Sequence, residues 1–126
     1  MPETAITVQI LDFGLSGSTY DGLEPTYGAI DEANGNKAKH SGRLFFHVKN
    51  ADGANPYTVT VKSQRKCDQG HQHDVATAIP ASEERMIPAG LAAEFKDTNG
   101  DVLLAYSASA QGQLTIAAIQ LAEDGR

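Results

Sequence analysis

Apolar and polar residues alternate with a period of two along much of the chain, the spacing of strands with one buried face. Ile6, Val8 and Ile10 alternate with Thr7 and Gln9. Leu44, Phe46 and Val48 alternate with Phe45, His47 and Lys49, and Tyr57, Val59 and Val61 with Thr58, Thr60 and Lys62. Further strands are predicted over Val75 to Ile79, Arg85 to Ile87, Val102 to Tyr106 and Leu114 to Leu121. The last is apolar on both faces, Leu114, Ile116 and Ala118 on one and Ala117 and Ile119 on the other, which suits a central strand. Glu83 to Arg85 and Leu91 to Phe95 have room for a helical turn at most.

Turn residues separate these runs. Asn50 to Pro56 reads as a hairpin-like connection in which Gly53 supplies a positive φ. Pro80-Ala81-Ser82 and Pro88-Ala89-Gly90 interrupt the middle, and Asn99-Gly100 marks a tight turn before Val102. Short strands at this spacing, with no long helical period, predict an all-β, single β-sandwich domain of the jelly-roll or immunoglobulin-like two-sheet kind. Residues 12 to 42 break the pattern, with Gly14, Gly17, Gly22, Gly28, Gly35 and Gly42 spread through a polar stretch. They read as a long Gly-rich loop or arm, with one irregular strand near Thr26 to Ile30 as the alternative. The expected organisation is an N-terminal strand and arm over residues 1–41 and a β-sandwich core over residues 42–126.

Composition narrows the function classes. With 126 residues the chain makes one domain, and a net charge of −6 argues against non-specific nucleic-acid binding. No apolar run reaches the roughly 18 residues of a membrane helix, so no membrane partner is expected. A single Cys excludes an intramolecular disulfide.

The densest chemistry is Cys67-Asp68-Gln69-Gly70-His71-Gln72-His73-Asp74. Cys67, His71, His73 and Asp74 are the donor types zinc prefers, and His71 and His73 share a face if the segment is extended. A polar turn bonded to its own backbone accounts for the same residues, because no second Cys or His pair stands at finger spacing. His40 and His47 are the other imidazoles. No metal or other cofactor is expected; were a metal to bind, those four residues are the candidate ligands.

Other motifs fail on spacing. A cupin-type His-x-His site wants Gly where Arg65 stands, Glu where Thr77 or Ala78 stands, and a His where Ala93 stands. Asp12-Phe13-Gly14 copies a kinase tripeptide without a phosphate loop or catalytic loop. Asp97 to Asp101 resembles half a calcium loop, but Val102 and Ala108 occupy the positions of its Gly and Glu. Cys67 has no protease-like surroundings, so no catalytic residue is expected.

From about residue 42 the chain resembles a family of small structural proteins of tailed bacteriophages. The residues concerned are Gly42 to Asn50, Pro56 to Ser63, Cys67 to Asp74, Ile79-Pro80-Ala81, Glu84 to Pro88, Tyr106-Ser107-Ala108 and Leu114 to Ile119. The resemblance implies a β-sandwich that works by assembly: a capsid cement or decoration subunit bridging copies of the major capsid protein. It implies a homotrimer at shell three-fold positions, placed on the virion exterior and made in the bacterial host cytoplasm. An acidic surface suits the outside of a shell. The alternatives are a head–tail neck or tail-completion protein, a carbohydrate-binding sandwich using Tyr20, Tyr27, Tyr57 or Tyr106, and a zinc-dependent hydrolase using His71 and His73.

Overall fold

The structure is a computed structural model that describes residues 3–11, 22–64, 69–70, 73–90 and 92–122. Its strands are β1 (Thr4–Ala5), β2 (Val8–Leu11), β3 (Gly28–Ala29), β4 (Asn36–Lys39), β5 (Leu44–Asn50), β6 (Tyr57–Lys62), β7 (Val75–Ile79), β8 (Glu84–Pro88), β9 (Asp101–Tyr106) and β10 (Leu114–Leu121), with a four-residue helix α1 (Ala92–Phe95) between β8 and β9. One sheet has the order β1-β4-β9-β6-β7; the other has β2-β10-β5-β8, with β3 also paired to β10. Two mixed sheets packed face to face make a β-sandwich, as the periodicity predicts. Among the described residues no helix is long and apolar enough to cross a membrane.

The core is what the alternation promises. Leu44, Phe46 and Val48 point inward from β5, Tyr57, Val59 and Val61 from β6, and Leu114, Ile116 and Ala118 from β10. Val102 and Leu104 of β9, Ile79 of β7 and Ile87 of β8 complete it. β10 is central, with β2 and β5 on its two sides. Ile10 departs from the expected pattern: it pairs with Gln120, past the last core residue of that row, and is 58% exposed. Glu84 and Arg85 belong to a strand and not to a helical turn.

Residues 22–41, expected to lie in an arm, are woven into both sheets. β3 pairs with β10, β4 lies between β1 and β9, and Ile30 and Ala38 join the core. No separation at residue 42 is seen within the described residues; residues 12–21, the middle of the expected arm, lie outside them. The glycines of this stretch mislead because one of them serves close approach. Gly35 has a φ of +81°, and a Cβ there would stand 2.6 Å from the Leu104 carbonyl oxygen. The polar residues mislead because they are buried with partners. Asn36 donates to the Thr4 carbonyl at 3.0 Å and accepts from the Asp31 amide at 3.0 Å and the Tyr106 hydroxyl at 2.7 Å. Burial, reinforced by the charge of Asp31, holds the Tyr106 phenol well above its ordinary pKa.

Asn50 to Pro56 is a corner, not a hairpin, since β5 and β6 belong to different sheets. Gly53 has no positive φ; Asp52 shapes the turn instead. Its carboxylate accepts from the amides of Ala54 at 2.8 Å and Asn55 at 3.3 Å and from the Tyr57 hydroxyl at 2.6 Å. The buried Asn50 shares its side-chain N–H groups among the carbonyls of Asn55 (2.9 Å), Ile79 (3.1 Å) and Pro80 (3.2 Å), and its Oδ1 accepts from the Asp52 amide at 2.9 Å. Its backbone amide reaches Glu83 O at 2.9 Å, while that of Ala51 reaches Gln113 O at 2.8 Å. The corners β5–β6, β7–β8 and β9–β10 are thereby tied together.

Asn50→Ala should lower unfolding free energy by on the order of 2–3 kcal/mol, because buried carbonyls lose their donor. Urea unfolding measures this, and a loss below about 0.5 kcal/mol would show that the carbonyls find other partners. The Tyr57 hydroxyl, then the amide donors, pull the Asp52 pKa down from 3.8 to about 2. Between those values the unfolded chain binds the proton more readily, so this carboxylate's contribution is complete above about pH 4 and fades as pH falls towards 2. Asp52→Asn should flatten the decline of the urea midpoint across that window.

Candidate functional site

Of the residues with zinc-like donor chemistry, Cys67 and His71 lie outside the described residues. His73 and Asp74 are exposed, and the Asp74 carboxylate accepts from the Ser63 amide at 2.7 Å, just beyond the end of the β6–β7 pairing. The Asp74 carboxylate therefore bonds backbone as a turn residue does. Among the described residues no group of three or more His, Cys, Asp or Glu is placed to hold a metal ion. The half calcium loop is a tight turn: Asp97 Oδ1 accepts from the amides of Asn99 (2.9 Å) and Asp101 (2.8 Å), with Gly100 at a φ of +87°. It joins α1 to β9.

His40 is a core histidine. Its Nδ1 accepts from the Gly42 amide at 3.1 Å, which puts the proton on Nε2 to meet the Gly90 carbonyl at 2.9 Å. Gly90 in turn lies against the Phe95 ring, where a Cβ would come within 2.4 Å of a ring carbon.

His47 is different, because it stands on the outer face of its sheet, in the polar row of β5. Its Nδ1 meets the Tyr27 hydroxyl, and its Nε2 meets Glu84 Oε1 at 2.7 Å. The Tyr27 and His47 rings meet edge to face at 5.5 Å, and Lys49 Nζ lies 4.0 Å from the centre of the Tyr27 ring. Burial, then the charge of Glu84, raises the Tyr27 pKa. The phenol thus keeps its proton and donates to Nδ1, leaving Nε2–H to donate to Glu84. A raised pKa is the opposite of what an activated nucleophile needs. The cluster acts as a clasp: it holds the segment leading into β3 across β10 onto β5 and β8.

Beside the clasp is a cleft of about 470 Å³ where the N-terminal segment crosses between sheets, lined by Thr4, Ile6, Gln9, Tyr27, Asn36 and Ile116 among others. Gln9 spans one side of it as a substitute strand. Its Nε2 donates to Thr26 O and its Oε1 accepts from Thr26 N, each at 2.8 Å.

The described tyrosines are all engaged: Tyr27 with His47, Tyr57 with Asp52 and Tyr106 with Asn36. Tyr20 lies outside the described residues. No sequence signal connects Tyr27 to His47 and Glu84, since the three come from a Gly-rich stretch, a central strand and an edge strand. The other prominent surface feature is apolar. Ile10 on β2, Val75 on β7, Met86 on β8 and Leu121 at the end of β10 are 58%, 48%, 68% and 40% exposed. β2, β7 and β8 are the lateral edges of their sheets on those sides. Compared with known protein families, curated proteins and solved structures, the chain matches none.

In a double-mutant cycle, Tyr27→Phe and His47→Ala should couple by about 0.5–1 kcal/mol. Each should also speed amide exchange at Gly28 and Ala29 before it affects β6 or β9. Equal loss of protection throughout would mean the clasp is part of the global fold and holds no separate segment.

Proposed function

We propose that this chain is a non-enzymatic assembly subunit, and specifically a capsid cement or decoration protein of a tailed phage head that bridges copies of the major capsid protein on the shell's exterior. The observation that carries the reading is the placement of the exposed large apolar side chains. Ile10, Val75 and Met86 sit on edge strands, where a sheet meets other chains, and not in a cleft where a substrate would be held. The resemblance from residue 42 onward supports the same class, and its segments over residues 42–50, 56–63 and 114–119 cover most of the strands β5, β6 and β10, which supply most of the core. Physically, a rigid sandwich with adhesive edges stabilises a shell by adding contacts that must break before the lattice opens. Repetition over a symmetric lattice makes modest contacts collectively strong.

Copy number per particle tests this. Virions of the phage that encodes the chain should contain it in numbers comparable with those of the capsid protein, and removing it should make heads rupture at lower temperature. A few copies per particle would favour the neck. Its absence from particles, or a turnover lost on His71→Ala, would overturn the reading.

A further inference from the structure

The edge strand β7 has a definite hydrogen-bond phase. The Ser107 amide donates to Thr58 O at 3.0 Å, so the peptide groups of Thr58 and Thr60 turn towards β9. The Ser63 amide donates to Asp74 at 2.7 Å, so the odd-numbered residues of β6 turn towards β7. In the β6–β7 register, Tyr57, Val59 and Val61 face Ile79, Thr77 and Val75. Those three residues of β7 therefore spend their amides and carbonyls on β6. Ala76 and Ala78 direct theirs outward, away from β6, and among the described residues β7 has no strand on that side.

Of the other sheet edges, β2 is four residues long, and the remaining two are blunted. β8 carries Glu84, Arg85 and Pro88, and β1 is two residues long. β7 reads Val75-Ala76-Thr77-Ala78-Ile79, five residues without a charge, a proline or a bulky outward side chain. Val75 at its start is 48% exposed.

We propose that β7 pairs antiparallel with β7 of a second copy of this chain, about a two-fold axis through Thr77, joining the two five-stranded sheets edge to edge. That axis sets Ala76 opposite Ala78 of the second copy and the reverse. These are the residues with outward amides and carbonyls, so each pair exchanges both hydrogen bonds. It sets Val75 opposite Ile79, which covers the exposed valine. It also sets Asp74 opposite Pro80 and His73 opposite Ala81, so two chains of net charge −6 meet here without like charges in contact. A self-complementary edge of this kind is what an isologous contact requires. The contact goes beyond the assembly reading and stands without a capsid. It also offers two-fold symmetry in place of the three-fold symmetry expected from the resemblance.

Light scattering over a concentration series tests it on the full chain. The expected mass is that of a dimer, twice 13.3 kDa, dissociating on dilution. Ala76→Pro/Ala78→Pro removes only outward N–H groups, so the β6–β7 ladder keeps its bonds while self-association weakens at least about tenfold. Ala76→Lys/Ala78→Lys, which places like charges directly opposite, should do the same without touching the backbone. Amide exchange at Ala76 and Ala78 should slow as the wild-type concentration rises. A monomer at every concentration, a trimer, or a dimer that both variants retain would each overturn the proposal. The capsid reading is tested separately by copy number.

Discussion

A sandwich whose chain keeps changing sheets must satisfy backbone polar groups where it crosses, because a corner has no ladder of its own. Asn50 meets that constraint for three corners together. Its side-chain amide serves carbonyls from the β5–β6 and β7–β8 connections, its backbone amide reaches Glu83, and the neighbouring Ala51 holds the β9–β10 connection through Gln113. These bonds add to the β5–β8 and β6–β7 ladders in fixing how β8 beside β5 and β7 on the opposite sheet relate to each other. An apolar residue at this position would fit the alternation of β5 better and would leave the carbonyls bare.

Where local pattern and tertiary placement agree, the strands are legible from the residues alone. Val75–Ile79 and Leu114–Leu121 fall where the alternation puts them, and Leu44, Phe46 and Val48 face the core as their spacing requires. β4 is hidden because Asn36-Lys37-Ala38-Lys39 has a polar residue on its buried face. Asn36 belongs there only because Thr4, Asp31 and Tyr106, distant in sequence, come to meet it. β1 and β3 are two residues each and carry no period at all. Gly53 and Gly35 show the same limit from the turn side: composition marks both as flexible, yet Asp52 shapes the first turn and a close carbonyl demands the second.

The candidate chemistry divides the same way. The Cys67 to Asp74 segment stands out because its donors are consecutive, and its described carboxylate proves to be engaged by a backbone amide. The Tyr27–His47–Glu84 clasp is built from residues that look ordinary in their own segments. Its three members are 20 and 37 positions apart along the chain and meet because β3 pairs with β10, and β5 pairs with both β10 and β8.

Strand β2, the second along the chain, runs parallel to β10, the last described strand, residues 8–11 beside 118–121. In a parallel pair, tension entering ahead of β2 and leaving after β10 draws the strands along each other. Their hydrogen bonds are then loaded in shear and resist together, whereas a hairpin pulled at its open end peels one bond at a time. Under such a load, rupture is governed by the barrier to the first slip between β2 and β10 and not by total stability.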